Sequence, residues 1–137
     1  MWVIVGAIVV SGTIATFTDW LFMGLLFHSA YMRYPEVWWP RGGNNTAAIL
    51  WSSIIGYLMS AGVVGLCILA RADSVLHALT VALLAWLAGP FVILLVNGLF
   101  IKIDPKVTFA HCVGWFARMA LAAIAAAIAL GPLRALS

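Results

Sequence analysis

Asp19 and Arg118 are the residues best placed to do chemistry, because each sets a full charge inside a long apolar stretch. An isolated charge at the centre of a membrane helix costs about 2.5–3.5 kcal/mol, so such residues pair, line a wet cavity or serve a ligand or proton. Asp19 lies about eight residues before the end of the first apolar stretch, roughly 12 Å deep, and Arg118 about eleven residues into the last, roughly 17 Å deep. Side chains lean toward the N-terminus of their own helix. On helices of opposite direction these two therefore lean into overlapping depths, and an Asp19–Arg118 ion pair is expected.

Other polar side chains gather near the same depth. His111 shares a helix face with Arg118, with Gly114 between them. Ser53, Tyr57 and Ser60 share a face of the second stretch, Asn97 falls near the end of the third, and Thr16 is one turn before Asp19. The predicted polar centre is Asp19, Arg118, His111, Tyr57, Ser53, Asn97 and Thr16, opening as a cavity toward one side of the bilayer. Ser, Thr and Asn also have an ordinary use, bonding across helices or to their own backbone. His28 and His111 fall near one boundary, but no HxxxH, CxxC or carboxylate spacing accompanies them, so no metal, haem or other cofactor is predicted. His77, near Asp73, reads as interfacial. Gly89-Pro90 in the third stretch predicts a kink, because proline removes one backbone bond and crowds the preceding turn. Cys67 and Cys112 fall near opposite faces, too far apart for a disulfide, and read as free buried thiols.

The elements that must position these groups follow from composition. Of 137 residues, 66% are hydrophobic and 8% charged, with mean hydropathy +1.15. A soluble domain carries about 25% charged residues to wet its surface, so lipid is the expected solvent. Seven Trp fit that setting, since Trp collects at membrane interfaces. The net charge of +3 is scattered, which argues against nucleic acid as a partner. Four stretches reach the about 20 residues a bilayer requires: about 2–27, 46–70, 74–101 and 107–130. None alternates as a barrel strand would. The first has no basic leader and no small-residue cleavage site, and reads as a retained span.

The expected fold is therefore all-α: one domain, 1–137, an integral membrane four-helix bundle of antiparallel up-down hairpins. Arg71-Ala72-Asp73-Ser74 reads as a tight turn with Asp73 capping the third helix, Asp104-Pro105 as a helix start, and Gly131-Pro132 as the end of the fourth helix. The only sizeable connection, 28–45, mixes Tyr31, Tyr34, Trp38 and Trp39 with Arg33, Glu36 and Arg41, and reads as an interfacial anchor broken by Pro35, Pro40 and Gly42-Gly43. Arg33, Arg41, Lys102 and Lys106 on one side against Arg71 and Arg134 on the other place loops one and three in the cytoplasm, with a bacterial inner membrane as the expected location.

Ser53-Ile54-Ile55-Gly56-Tyr57-Leu58-Met59-Ser60 and His111-Cys112-Val113-Gly114-Trp115-Phe116-Ala117-Arg118 share a pattern: polar, two apolar, Gly, aromatic, two more, polar. This raises a duplication of two hairpins, with Asp19 and Asn97, and Ser60 and Arg118, as equivalent positions. The run Gly12 to Phe27, the stretch Asn97-Gly98-Leu99-Phe100 and His111-Cys112-Val113-Gly114-Trp115 resemble a family of small bacterial four-span membrane proteins of unassigned function. That resemblance implies no catalytic or binding residue. Three functions follow in order: an oligomeric carrier or channel for a small solute or proton, an accessory or assembly subunit of a larger membrane complex, and a membrane-embedded enzyme. The Ala-rich fourth helix, from Ala117 to Ala129, suits close approach of a partner helix in a homo-oligomer or complex. No nucleophile–base pattern supports the enzyme.

Overall fold

Val- and Ile-rich stretches favour strands in water, yet a helix satisfies every backbone group within itself, which water-free surroundings demand. The computed structural model describes residues 1–40 and 45–134, with side chains of the last helix described to Gly131. Arg41 and Gly42-Gly43, and the side chains of Pro132 and Arg134, lie outside the described residues. Among the described residues there is no strand, and four helices are long and apolar enough to cross a membrane: Trp2–Leu26, Thr46–Leu69, Val75–Phe100 and Pro105–Gly131.

The first long helix is α1 (Trp2–Asp19) continued by a π-helical turn, Trp20–Leu26. The connection that follows is not irregular throughout: it holds the one-turn helix α2 (His28–Tyr31) and a 3-10 turn, Pro35–Val37. The second long helix is α3 (Thr46–Leu69). The third is α4 (Val75–Trp86), a π turn at Leu87–Phe91 and α5 (Val92–Phe100). Pro90 offers no N–H to the carbonyl four residues back, and the wider turn around it carries the helix past the defect without a break.

Two helix ends differ from expectation. Ser74, not Asp73, caps α4: its Oγ accepts the His77 backbone N–H at 3.2 Å, while Asp73 Oδ1 pairs with His77 Nδ1 at 3.1 Å. A cap must be the residue whose backbone is extended immediately before the helix, and that is Ser74. The last helix, α6, spans Pro105–Arg134, so Gly131-Pro132 does not close it. The bond that Pro132 cannot donate lies in the last turn, and the helix continues two residues past it. Its start is as the residues suggest, with Asp104 Oδ1 accepting the Lys106 N–H at 2.8 Å.

α6 is the central element. It packs along α1, α3 and α4, whereas α3 and α4 meet only sparingly. A two-fold relation between hairpins would require the second and third helices to pack as the first and fourth do. They do not, so the proposed equivalence of Asp19 with Asn97 has no counterpart in the packing. The core sits toward the Arg71 turn, where Val63, Val64 and Cys67 of α3, Ala78 and Ala82 of α4 and Met119, Ala122, Ala123 and Ala126 of α6 are buried together, with Ile4 and Ile8 against them. At the other end the first and third connections are tied by Arg33–Asp104 and Lys102–Glu36. That end of the bundle is the loop end.

Candidate functional site

Asp19 is the final residue of α1, immediately before the π turn. Arg118 Nη1 donates to Asp19 Oδ2 at 2.6 Å, with the arginine side chain 8% and the aspartate 23% exposed. A charge-assisted bond of this length is among the strongest a side chain makes, and shielding from water strengthens it further. Gly56 of α3 makes room for the guanidinium: a Cβ at that position would collide with Arg118 Nη2. The Trp115 ring lies 5.2 Å from the guanidinium carbon, a cation–π distance. Arg118 Nε and Ser60 Oγ are buried with no hydrogen-bond partner among the described residues. Ser60 follows Gly56 by one turn and so shares its face of α3.

A second polar pair lies nearer the loop end. Tyr31 Oη and His111 Nε2 are 3.0 Å apart, with the rings edge to face. Tyr31 is held by Trp38, whose Nε1 donates to the Tyr31 carbonyl at 2.8 Å. Burial, and then the negative charge of Asp19, raise the Tyr31 hydroxyl above its ordinary pKa. It therefore remains an O–H at neutral pH, able to donate to a bare Nε2. Outermost, Arg33 Nη1 donates to Asp104 Oδ2 at 2.9 Å and Lys102 Nζ to Glu36 Oε1 at 2.7 Å. The Arg33 and Lys106 N–H groups hold the Asp104 carboxyl below the usual carboxylate range, and Lys102 does the same for Glu36.

The residues singled out by sequence divide. Asp19 and Arg118 are brought together; His111 joins Tyr31 instead of the ion pair. Tyr57 Oη lies 3.0 Å from Thr13 Oγ1, its ring seated against Gly12, where any Cβ would collide with it. Thr16 donates to the Gly12 carbonyl at 3.1 Å and Ser53 to the Ile49 carbonyl at 2.9 Å, each within its own helix. Asn97 is exposed on α5. Gly89 and Pro90 form the π turn in the third long helix, where Trp86 Nε1 donates to the Cys112 carbonyl at 3.0 Å. That tryptophan lies well inside its helix, where its N–H serves a packing contact and not a membrane boundary. Cys67 and Cys112 are free and buried.

Two cavities lie at the loop end. One cavity of about 10 Å³, the size of a single water, lies among Tyr31, Tyr34, Trp38, Asp104 and Val107. A wider groove of about 470 Å³ is lined by Ser29, Ala30, Met32, Arg33, Asp104 and Lys106. Neither is lined by Asp19 or Arg118, whose guanidinium sits against Gly56 with the Trp115 ring beside it. No group of three or more His, Cys, Asp or Glu among the described residues could hold a metal ion. Comparison with protein-family models, with curated proteins and with solved structures finds no match to this chain.

Sequence reasoning placed Tyr31 only in the interfacial loop and Gly56 only in the repeat pattern. Tyr31 carries no local signal, since α2 folds back from a segment that reads as loop. Gly56 does carry one: a residue without a side chain at about the depth of a buried arginine on another helix.

Proposed function

We propose that the chain is an integral membrane protein of two up-down helical hairpins, serving as a small carrier or channel for a proton, alone or with a small solute. The observation that carries this reading is the Asp19–Arg118 ion pair set deep in the apolar helices, with Tyr31 and His111 between it and the loop end. Intramembrane carboxylate and histidine rows mark proton pathways. A proton entering from the loop end meets the Tyr31–His111 pair before Asp19. Taking it up would neutralise Asp19 and end the ion pair, leaving a weaker bond from the guanidinium to a neutral carboxyl. Arg118 would then rely on the Trp115 face and the unused Ser60 hydroxyl. The π turn beginning after Asp19 supports local rearrangement there, because such turns recur at functional sites. Since side chains fill the centre of one copy, the pathway is assigned to a homo-oligomer.

Arg33, Lys102 and Lys106 at the loop end against Arg71 at the other favour cytoplasmic loops one and three, in a bacterial inner membrane. Reconstitution into liposomes with a trapped pH dye tests the function. An imposed potential should drive proton uptake that Asp19→Asn abolishes. Wild-type vesicles no leakier than protein-free ones, or full flux through the Asp19→Asn protein, would end this reading. A second reading, an assembly subunit, is favoured by α5, which buries no residue within the chain. Stoichiometric co-purification with another membrane protein in mild detergent would select it.

A further inference from the structure

We infer that the groove at the loop end binds the phosphodiester headgroup of an anionic phospholipid. The inference rests on the membrane reading above but not on proton transport. Asp104 contributes a negative charge to the groove, yet both its oxygens are engaged, Oδ2 by Arg33 at 2.9 Å and Oδ1 by the Lys106 N–H at 2.8 Å. Arg33 and Asp104 cancel, which among the described residues leaves the exposed Lys106 ammonium as an uncompensated positive charge on the groove wall. A phosphodiester carries one negative charge and acceptor oxygens for that ammonium, for the Ser29 hydroxyl and for the N–H groups Arg33 does not spend on Asp104. Arg33 keeps 63% of its side chain exposed, so those donors are reachable. The volume, about 470 Å³, is that of a small-molecule site.

Position selects a lipid over free phosphate. The groove lies just past Leu26, where the first long helix ends, and at Pro105, where the fourth begins, which is headgroup depth. Leu26, at the end of the first long helix three residues before Ser29, and Phe109, one turn after Lys106, are 60% exposed and offer an apolar track for acyl chains. The Phe27 and Phe109 rings meet edge on at 6.3 Å, so the groove and the track belong to one seam between the two helices. A zwitterionic lipid would bring its own cation beside Arg33 and Lys106, which disfavours it.

The test places the full chain in nanodiscs of equal phosphatidylglycerol and phosphatidylcholine and counts, by native mass spectrometry, the lipids retained on release. Wild type should retain phosphatidylglycerol selectively. Lys106→Gln, which keeps the backbone N–H used by Asp104, should lower that enrichment about five-fold. Lys102→Gln removes a cation already paired with Glu36 and should leave it unchanged. Equal retention of both lipids, an unaltered Lys106→Gln protein, or an equal loss in Lys102→Gln would overturn the site. Displacement of the lipid by millimolar inorganic phosphate would overturn the lipid assignment, and persistence of the lipid supports it. A chain that fails to enter the discs overturns the membrane reading, whereas entry without enrichment overturns the groove alone.

Discussion

Near the Arg71 turn the helices touch through methyl groups, and at the loop end they touch through charges, rings and hydroxyls. Ala78 and Ala82 of α4 and Ala122, Ala123 and Ala126 of α6 are fully buried, so these two helices approach closely through side chains with no polar group to satisfy. Such contacts are dispersion spread over many atoms; none has an alternative partner to move to. The other half, from the deep Asp19–Arg118 pair through Tyr31–His111 to Arg33–Asp104 at the loop end, is held instead by contacts that each trade desolvation against a specific bond. A packed methyl face has one arrangement, whereas an ion pair has at least two, bonded and broken. The proposed chemistry therefore belongs to the charged half, and the Ala-packed half serves as its fixed frame.

The sharpest way to break this contrast is to strand one charge. Arg118→Leu should destabilise the protein by about 3–5 kcal/mol, because Asp19 is left half-buried without its partner. The double variant Asp19→Leu/Arg118→Leu should regain most of that loss. Thermal unfolding in detergent reads both, and a double variant no better than the worse single would show that the pair does not act as a unit. In the other half, Ala123→Leu should cost about 1–3 kcal/mol by overpacking, with no rescue from any charge change. Should Ala123→Leu be neutral, the methyl-packed half is not the rigid frame described.

The same contrast explains what could be read from sequence. Four long helices were legible because lipid-like surroundings leave a hydrophobic run little other choice, and Asp19 and Arg118 stood out because charge is rare in such runs. Their depths and lean also made the pairing deducible. Tyr31 was not legible, since its role depends on α2 folding back to reach His111, a contact set by tertiary structure alone. Asn97 and Ser53 failed for the converse reason: depth along a helix says nothing about which way that helix faces. Ser53 settled on its own Ile49 carbonyl, and Asn97 sits exposed on α5, a segment that buries no residue within the chain. Composition revealed the Ala-rich helix, but not that it would be the one in contact with all three others.

A smaller effect, of opposite sign, is expected at the turn closing the methyl-packed half. The Ala72 N–H bonds the Cys67 carbonyl at 2.9 Å and the Arg71 N–H the Ile68 carbonyl at 3.0 Å, the paired pattern of a Schellman helix end. The motif requires a left-handed residue, and Arg71 takes that place with φ 52°. A side chain there costs roughly 1–2 kcal/mol. Arg71→Gly should accordingly stabilise the protein, by about 1 kcal/mol once the added freedom of the unfolded glycine is subtracted. A lower melting temperature would mean that the arginine makes a contribution the turn geometry does not account for.

The subtlest test is acid. Asp104 and Glu36 have depressed pKa values in the folded protein, through their bonds to Arg33 and Lys102. A carboxylate lowered by folding contributes its stability fully above its unfolded pKa, about 4, and loses it as pH falls through the lower folded value. Asp73 at the opposite turn is also depressed, by His77, but it caps nothing, since Ser74 accepts the helix N–H. Protonating Asp104 weakens both its tie to Arg33 and its hold on the Lys106 N–H, so the start of α6 should loosen while the start of α4 does not. Hydrogen exchange followed from pH 6 to below about 4, and expressed as protection relative to the unfolded chain at each pH, should show protection lost at the amides of residues 33, 34, 36, 37 and 106–108 before any change at 75–78. Simultaneous acceleration at both turns would mean that acid acts on the bundle as a whole, and the division between a charged half and a methyl-packed half would lose its energetic basis.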